Sequence, residues 1–373
     1  MATTRIAAAA ATTTTNMLTI IKLLPLFLLL SSTTATVAAV NPPPLYVFGD
    51  SLYDGGMTLF NGIAGAGAEF WPYGETFFQK PVGRFTDGRV IPDFLARYAG
   101  LPFPEPYLKP GLTDYSKGIN FASAGACVLL ELRPETINLK MQINYFLEMI
   151  QKLKAQVGEE EATRLLSKAV YLFNIAGNDY VTLFQHNLKK TISSEKKSSF
   201  MNQILGNITI YIQTIYDQGG RKFAFQNVGP LGCMPSMKYM LGFRGTCKKE
   251  PLEVARMHND AFIGHAKKLQ NQFPGFEYSI YDFFGSLSTR VVNGPKYGFK
   301  ESQTGCCGSG IYHGDFTCQK KDKSFSVCSN PNDYLWFDAA HTTDRANQQF
   351  AKEFWTGSSN VVAPNNLQTL FAL

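Results

Sequence analysis

Residues 45–52 read LYVFGDSL, and this short stretch predicts a buried strand followed by a polar turn. Its four leading apolar residues lie between a run of three prolines at 42–44 and the pair Gly49-Asp50, which bounds the strand on both sides. Short strands that are apolar throughout are typical of parallel sheets covered by helices on both faces. In such sheets ligands bind beyond the carboxyl ends of the strands, so the turn at 49–52 is a candidate functional position.

The rest of the chain alternates between predicted strands and predicted helices. Further strands are expected at 118–122, 170–175, 223–228 and 278–282, and helical segments at 137–154, 159–168, 195–217, 252–273 and 343–355. This alternation predicts an α/β fold with a central parallel sheet. Residues 294–335, rich in Gly, Cys, Asn and Pro, predict a long ordered loop pinned by disulfides. Neither a repeat nor a flexible linker divides the sequence, so we expect one domain over residues 40–373.

The first 39 residues predict a signal peptide. The apolar run at 17–30 is shorter than the ~20 residues that a membrane span needs. Val37-Ala38-Ala39 fits the small-x-small pattern that precedes a signal peptidase cut. We therefore expect secretion to the apoplast or cell wall, with a plastid address, a vacuolar location or an uncleaved anchor as alternatives. No further apolar run of spanning length follows in the mature chain.

Composition excludes several classes of protein. Hydrophobic residues at 45% and charged residues at 17% exclude a disordered or fibrous chain. The net charge of +6 falls to +4 without the two cations of the predicted signal peptide, Arg5 and Lys22. This charge is too small and too scattered to indicate a nucleic-acid partner. We expect a monomer.

Cysteine usage agrees with secretion. None of the seven cysteines forms a C-x-x-C motif, so zinc and thioredoxin-like sites are disfavoured and no metal is expected. We favour a Cys233–Cys247 bridge, which would close a Gly- and Pro-rich excursion, and leave Cys127 unpaired. Two more bridges, of open connectivity, would join Cys306, Cys307, Cys318 and Cys328. The sequon Asn207-Ile208-Thr209 predicts glycosylation at Asn207.

Three short motifs point to acyl-transfer chemistry when they are taken together. Gly-Asp-Ser at 49–51 places the Ser51 hydroxyl at a strand end, and Asp338 precedes His341 by three positions. The Gly-Asn-Asp motif at 177–179 supplies an amide, that of Asn178, which can donate to an oxyanion. Each motif alone is more often a turn or a helix cap. The α/β-hydrolase pattern G-x-S-x-G is absent, which disfavours that fold.

The combined blocks resemble the plant GDSL esterase/lipase family of the SGNH hydrolase superfamily. Four blocks occur in the family's order, namely FGDSL at 48–52, NFASAG at 120–125, GND at 177–179 and DAAH at 338–341. The resemblance extends over about 45–355 through four further blocks, namely FWPYG at 70–74, GRFTDGR at 83–89, VGPLGC at 228–233 and CCG at 306–308. It implies a flavodoxin-like three-layer α/β/α sandwich with a central parallel sheet.

The resemblance also implies an activity and a set of site residues. Ser51 matches the nucleophile, Asp338 and His341 match the rest of the triad, and Gly125 and Asn178 match the oxyanion hole. The expected protein is a carboxylic ester hydrolase acting on a small-molecule or lipid ester, with no cofactor. An acyltransferase of specialised metabolism, a catalytically silent defence-associated binding protein and a flavodoxin-like redox protein remain alternatives.

Two positions depart from the family pattern. Met57 stands where the family usually has Asn, and Thr342 stands where proline usually follows the histidine. Neither change removes a reacting group. We expect Met57 to alter the polarity of the substrate pocket and thereby the choice of substrate.

Overall fold

A mostly parallel sheet forms the centre of the computed structural model, which describes residues 41–62, 67–188, 190–318, 320 and 322–373. The predicted signal peptide at 1–39 lies outside the described residues. In chain order the strands are β1 (Leu45–Gly49), β2 (Val170–Asn174), β3 (Lys222–Gln226), β4 (Glu277–Tyr281), β5 (Glu301–Gly305), β6 (Cys307–Gly308), β7 (Ser326–Val327), β8 (Tyr334–Trp336) and β9 (Val362–Pro364). The large sheet has the order β1-β2-β3-β4-β9, with β1 to β4 parallel and β9 antiparallel to β4.

Helices pack on both sides of this sheet. They are α1 (Ile91–Tyr98), α2 (Leu139–Val157), α3 (Glu159–Lys168), α4 (Gly177–Gln185), α5 (Ser194–Asp217), α6 (Pro235–Met240), α7 (Lys249–Gln272), α8 (Phe283–Val292), α9 (Asp344–Thr356) and α10 (Leu367–Ala372). The five predicted helical segments correspond to α2, α3, α5, α7 and α9, and four of the five predicted strands correspond to β1 to β4. Helices α1, α4, α6, α8 and α10 were not predicted.

The two faces of the sheet bury different side chains. Tyr46 and Phe48 of β1 join a core cluster with residues of α2, α5 and α7, whereas Leu45 and Val47 join a second cluster with residues of α1, α8, α9 and α10. On the first face the ring of Phe173 stacks on Phe48, with centroids 4.8 Å apart. Such aromatic pairs add about 0.5–1.5 kcal/mol beyond the burial of their area. The arrangement confirms the predicted three α/β/α layers.

Two expectations need correction. The predicted strand at 118–122 lies along β1 but forms only isolated bridges at Asn120. Hydrogen bonds to β1 continue on both sides of this bridge, from the Leu45 N–H to the Lys117 carbonyl and from the Ser123 N–H to the Gly49 carbonyl. A continuous ladder does not form, because Gly118 has φ 111° and the Gly49 N–H is bound by the Gln142 side chain. The region 294–335 is not simply a loop, because it contains the short strands β5, β6 and β7 and part of β8.

Three disulfides are present. The favoured Cys233–Cys247 bridge is found, and the four late cysteines pair as Cys306–Cys328 and Cys307–Cys318. Cys127 is a free, buried thiol, as predicted. Among the helices of the described ranges, none has the length and apolarity that crossing a bilayer requires.

Candidate active site

The predicted nucleophile lies in the turn directly after β1. Gly49 ends the strand with φ 153°, and a Cβ atom there would lie 2.3 Å from the backbone oxygen of Asn174 on β2, so glycine is required. The buried Gln142 side chain of α2 accepts from the Gly49 N–H at 2.9 Å and donates to the Gly49 carbonyl at 2.8 Å. The backbone that leads to Ser51 is therefore fixed by helix α2 on one side and by strand β2 on the other. Gln142 was not among the predicted site residues.

The structure brings Ser51, His341 and Asp338 together, although 290 positions separate the serine from the histidine. Nε2 of His341 lies 2.7 Å from the Ser51 hydroxyl oxygen. Nδ1 of His341 lies 2.8 Å from each carboxylate oxygen of Asp338. With the ring proton on Nδ1, the opposite nitrogen can accept the hydroxyl proton of the serine.

Asp338 is buried in a shell of donors. Its Oδ1 accepts from the backbone N–H groups of Ala340 and His341, each at 2.8 Å. The Tyr73 hydroxyl, also buried, donates to Oδ2 at 2.8 Å. Burial opposes ionisation, but the His341 charge and these hydrogen bonds outweigh it and lower the pKa of Asp338. Tyr73 lies within the block at 70–74 but was not predicted to touch the triad.

Asn178 and Gly125 line the same cavity as Ser51. Asn178 is the second residue of α4, and its side-chain amide donates to the Ala126 carbonyl at 3.1 Å, which fixes the direction of the amide. Gly125 has φ 76°, a left-handed conformation that favours glycine. Four of the five predicted site residues of the acyl-transfer centre therefore line one cavity, and the fifth, Asp338, is buried behind His341.

A buried carboxyl group that the sequence analysis did not identify connects the nucleophile loop to the Gly125 segment. Asp54 accepts from the backbone N–H groups of Gly56 at 2.8 Å, Met57 at 2.6 Å and Ala124 at 2.9 Å, and it also contacts the Thr58 hydroxyl. Burial raises the pKa of Asp54, although these donors oppose the shift. One side chain therefore joins the loop that follows Ser51 to the segment that contains Gly125.

A second buried acid holds the other end of the Gly125 segment. Asp179, in the first turn of α4, accepts from the backbone N–H groups of Val128 and Leu129 at 3.0 Å and 2.9 Å. Burial raises the pKa of Asp179 to about 7 and that of Asp50 to about 6. Asp50, which precedes Ser51, and Asp179 therefore both have pKa values above the usual range of exposed carboxyl groups.

A cavity of about 460 Å³ opens beside Ser51 and His341. An apolar part is contributed by the segments that follow β3 and β4 and by β8, namely Val228, Pro230, Leu231, Met234, Phe283, Leu287 and Trp336. A polar part is contributed by segments at the β1 edge of the sheet, namely Thr58, Asn61, Arg133, Glu135 and Thr136. The apolar part comes from the β3 and β4 end of the strand order, and the polar part comes from the β1 end, where Ser51 also lies.

The expectation for Met57 is wrong. The Met57 side chain is fully buried in a core cluster, and its sulfur accepts from the Leu108 N–H at 3.5 Å. It is not among the residues that line the cavity, because the loop turns it inward toward the aromatic core. Thr342 does line the cavity, and its hydroxyl donates to the Asn347 side chain at 2.6 Å.

The disulfide-bonded region supports the backbone just before Asp338. The Cys306 N–H donates to the Trp336 carbonyl at 2.9 Å, and the Cys307 N–H donates to the Phe337 carbonyl at 2.7 Å. Both cysteines are in disulfides, so the position of the triad acid depends on an oxidised, covalently closed segment.

The predicted glycosylation residue lies away from this centre. Asn207 is on α5, partly exposed, and its amide donates to the Gln203 carbonyl at 2.9 Å. Modification of Asn207 stays a prediction. Within the described part of the chain, no group of three or more His, Cys, Asp or Glu side chains is arranged to hold a metal ion.

Comparison with known proteins places this geometry in a family. The family model described as GDSL-like lipase/acylhydrolase matches residues 45–354. GDSL esterase/lipase 4 of Arabidopsis thaliana is 40% identical over 89% of this chain and 91% of its own length. GDSL lipase of Tanacetum cinerariifolium is 40% identical over 88% of this chain and 87% of its own length. Inactive GDSL esterase/lipase-like protein 25 of Arabidopsis thaliana is 39% identical over 88% of this chain. The match over nearly the whole described chain shows that this protein belongs to the GDSL-like lipase/acylhydrolase family.

Proposed function

We propose that this protein is a secreted serine esterase that hydrolyses carboxylic esters through an acyl-enzyme on Ser51. The observation that carries the proposal is the 2.7 Å contact between the Ser51 hydroxyl oxygen and Nε2 of His341, whose other nitrogen is bound by Asp338. Nucleophile, base and orienting acid in hydrogen-bond contact are the requirement for serine-based acyl transfer.

In the proposed reaction the Ser51 oxygen attacks the ester carbonyl while His341 accepts the hydroxyl proton. Asp338 holds the ring and stabilises the imidazolium that forms. Backbone N–H groups of Ser51 and Gly125 and the Asn178 amide stabilise the oxyanion. We assign the backbone donor to Gly125 because the Ala124 N–H is already engaged with Asp54. Collapse of the tetrahedral intermediate expels the alcohol, which takes the proton from His341, and water then releases the acid by the same steps.

Family likeness by itself would not establish activity, because one relative of similar identity is named as inactive. The support comes from the residues of this chain, which keep the serine, the histidine and the acid in contact. The 460 Å³ cavity beside them has room for an ester with an apolar substituent.

Secretion is part of the proposal. Three disulfides favour an oxidising compartment. We propose that residues 1–39 are removed as a signal peptide, that residues 40–373 form one secreted domain, and that Asn207 carries a glycan in the apoplast or cell wall.

The test is to compare the wild-type protein with Ser51→Ala on p-nitrophenyl esters of graded acyl length, with and without an added alcohol. We expect a fluorophosphonate probe to label Ser51 and the variant to lose hydrolysis and labelling together. Hydrolysis retained by a correctly folded Ser51→Ala variant would refute the nucleophile assignment. Formation of a new ester in place of free acid would indicate an acyltransferase, and an unlabelled wild-type protein would indicate a binding protein.

A further inference from the structure

We infer that Arg133 is a specificity-determining residue that binds an anionic group, a carboxylate or a phosphate, on the substrate. The inference rests on the proposed esterase function and adds the class of substrate. Arg133 lines the cavity that contains Ser51 and His341. No reacting atom is assigned to it, and its proposed contact is with a part of the ester remote from the scissile bond.

The guanidinium is fixed in place beside the oxyanion site. Nε of Arg133 donates to the Thr182 hydroxyl of α4 at 3.2 Å. One terminal nitrogen lies 3.7 Å from the point that a Cβ atom on Gly125 would occupy. The Arg133 carbonyl closes its own loop by accepting from the N–H and the hydroxyl of Thr136 at 3.1 Å and 2.9 Å. An arginine held in this way presents its remaining donors in a fixed fork, the geometry that carboxylates and phosphates match.

Among the described residues, Arg133 has no acidic partner, and it lines the cavity. Two other half-buried arginines of this part of the chain, Arg221 and Arg345, are also outside any ion pair, but each uses a terminal nitrogen to donate to backbone carbonyls, and neither lines the cavity. Arg84, Arg89 and Arg290 form ion pairs with carboxylates at 2.8–2.9 Å. In the described ranges Arg133 forms no such pair. Its charge acts on the buried Asp50 only from a longer distance: it lowers the pKa of Asp50, but burial raises that pKa by more. Glu135 also lines the cavity but is exposed and is not in contact with the guanidinium. A partly desolvated cation without a partner favours binding of an anion.

The cavity around Arg133 indicates what else such a substrate carries. The apolar part of the wall, which includes Leu231, Phe283 and Leu287, follows β3 and β4. Ser51 follows β1, and the chain that leads to Arg133 runs along β1 at residues 120–123, on the side away from β2. An ester that spans Ser51 therefore meets an apolar surface on one side and a cation on the other. The favoured substrate is an amphiphile whose scissile ester joins an apolar chain to a small component with a negative charge.

Two matched pairs of esters test this inference. In the first pair hexanoic acid is esterified to glycolate or to its neutral amide, glycolamide. In the second pair hexanol is esterified to succinate or to its neutral half-amide, so that the charge lies on the acyl component. In one of the two pairs the charge will lie within reach of Arg133. In that pair we expect the wild-type enzyme to prefer the anionic ester over the neutral one, mainly through a lower KM. Losing a hydrogen-bonded ion contact should reduce this preference about tenfold or more in Arg133→Gln.

Control variants separate charge recognition from general damage. Arg133→Lys keeps the charge and should retain part of the preference, and Arg97→Gln, an exposed arginine of α1, should retain all of it. Glu135→Gln should leave the preference at or above the wild-type level, and a fall to the Arg133→Gln level would contradict the inference. An equal loss on both members of each pair, or no preference in the wild-type enzyme, would also overturn it. Failure of a fluorophosphonate to label Ser51 would instead refute the proposed function.

Discussion

Asp54→Asn is the substitution that best separates positioning of the oxyanion site from the triad itself. Oδ1 of Asp54 accepts from the Gly56 and Met57 N–H groups, and Oδ2 accepts from the Ala124 N–H at 2.9 Å. Asparagine has almost the same shape and can keep the two contacts of Oδ1. Its amide nitrogen would then face the Ala124 N–H, so a donor would meet a donor.

The structure sets the expected size of the effect. The Ala124 N–H would keep the Thr58 hydroxyl, at 3.1 Å, as its remaining acceptor. Because complete loss of an acceptor costs a buried N–H about 1–3 kcal/mol, we expect the free energy of unfolding to fall by about 1 kcal/mol. The next residue along the chain is Gly125, whose N–H is the proposed oxyanion donor. Complete loss of one such donor lowers kcat about 10²–10³-fold. Partial displacement of Gly125 should therefore lower kcat by about tenfold to a hundredfold, with little change in KM.

The assay combines ester kinetics with urea unfolding of the same preparations. Ser193→Ala is the stability control, because Ser193 caps α5 by accepting from the Lys196 N–H and such caps contribute about 1 kcal/mol. It should lose stability and keep kcat. A well-folded Asp54→Asn variant with wild-type kcat would refute the argument that this carboxyl positions Gly125, and an equal loss of kcat in Ser193→Ala would show that stability alone was responsible.

Three further predictions concern the same centre. Tyr73→Phe removes a hydrogen bond that lowers the pKa of Asp338, so kcat should fall about tenfold and the acid limb of the pH–rate profile should move to higher pH. Asn178→Ala should lower kcat about 10²–10³-fold at nearly constant KM in steady-state assays, and an unchanged kcat would remove this amide from the oxyanion site. The pKa of Asp179 is about 7 in the folded protein and ~3.9 when unfolded, so the folded state binds the extra proton between these values. The free energy of unfolding should therefore fall as pH rises from about 4 to about 7, and Asp179→Asn should flatten this slope in denaturation curves.

The sequence predicted β1 to β4 from short, mainly apolar runs that end in turn residues. β1 is buried at all five positions, and nothing in its pattern competes with a strand. Residues 118–122 have similar composition, but Gly118 and Asn120 impose local conformations that a count of apolar residues does not register. β9 is three residues long and ends in a proline, so its pairing with β4 arises from tertiary packing rather than from a pattern.

The reacting groups of the site were predictable, and their supports were not. Ser51, Asp338 and His341 lie in short motifs whose residue types are chemically specialised. Tyr73 reaches Asp338 across 265 positions, and Gln142 reaches Gly49 across 93. The sequence around a tyrosine in a loop or a glutamine in a helix does not indicate such a long-range contact. The contact is therefore seen only in the folded chain.

The two halves of the proposal, secretion and catalysis, are physically linked. Asp338 follows directly on Trp336 and Phe337, whose carbonyls are bound by the N–H groups of Cys306 and Cys307. Those two cysteines are held by separate disulfides, which a reducing compartment would open. The acid of the triad would then lose the covalent support of its neighbouring strand, although every catalytic residue would still be present. If the proposal is right, activity depends on the oxidised state of this segment as well as on the presence of Ser51, Asp338 and His341.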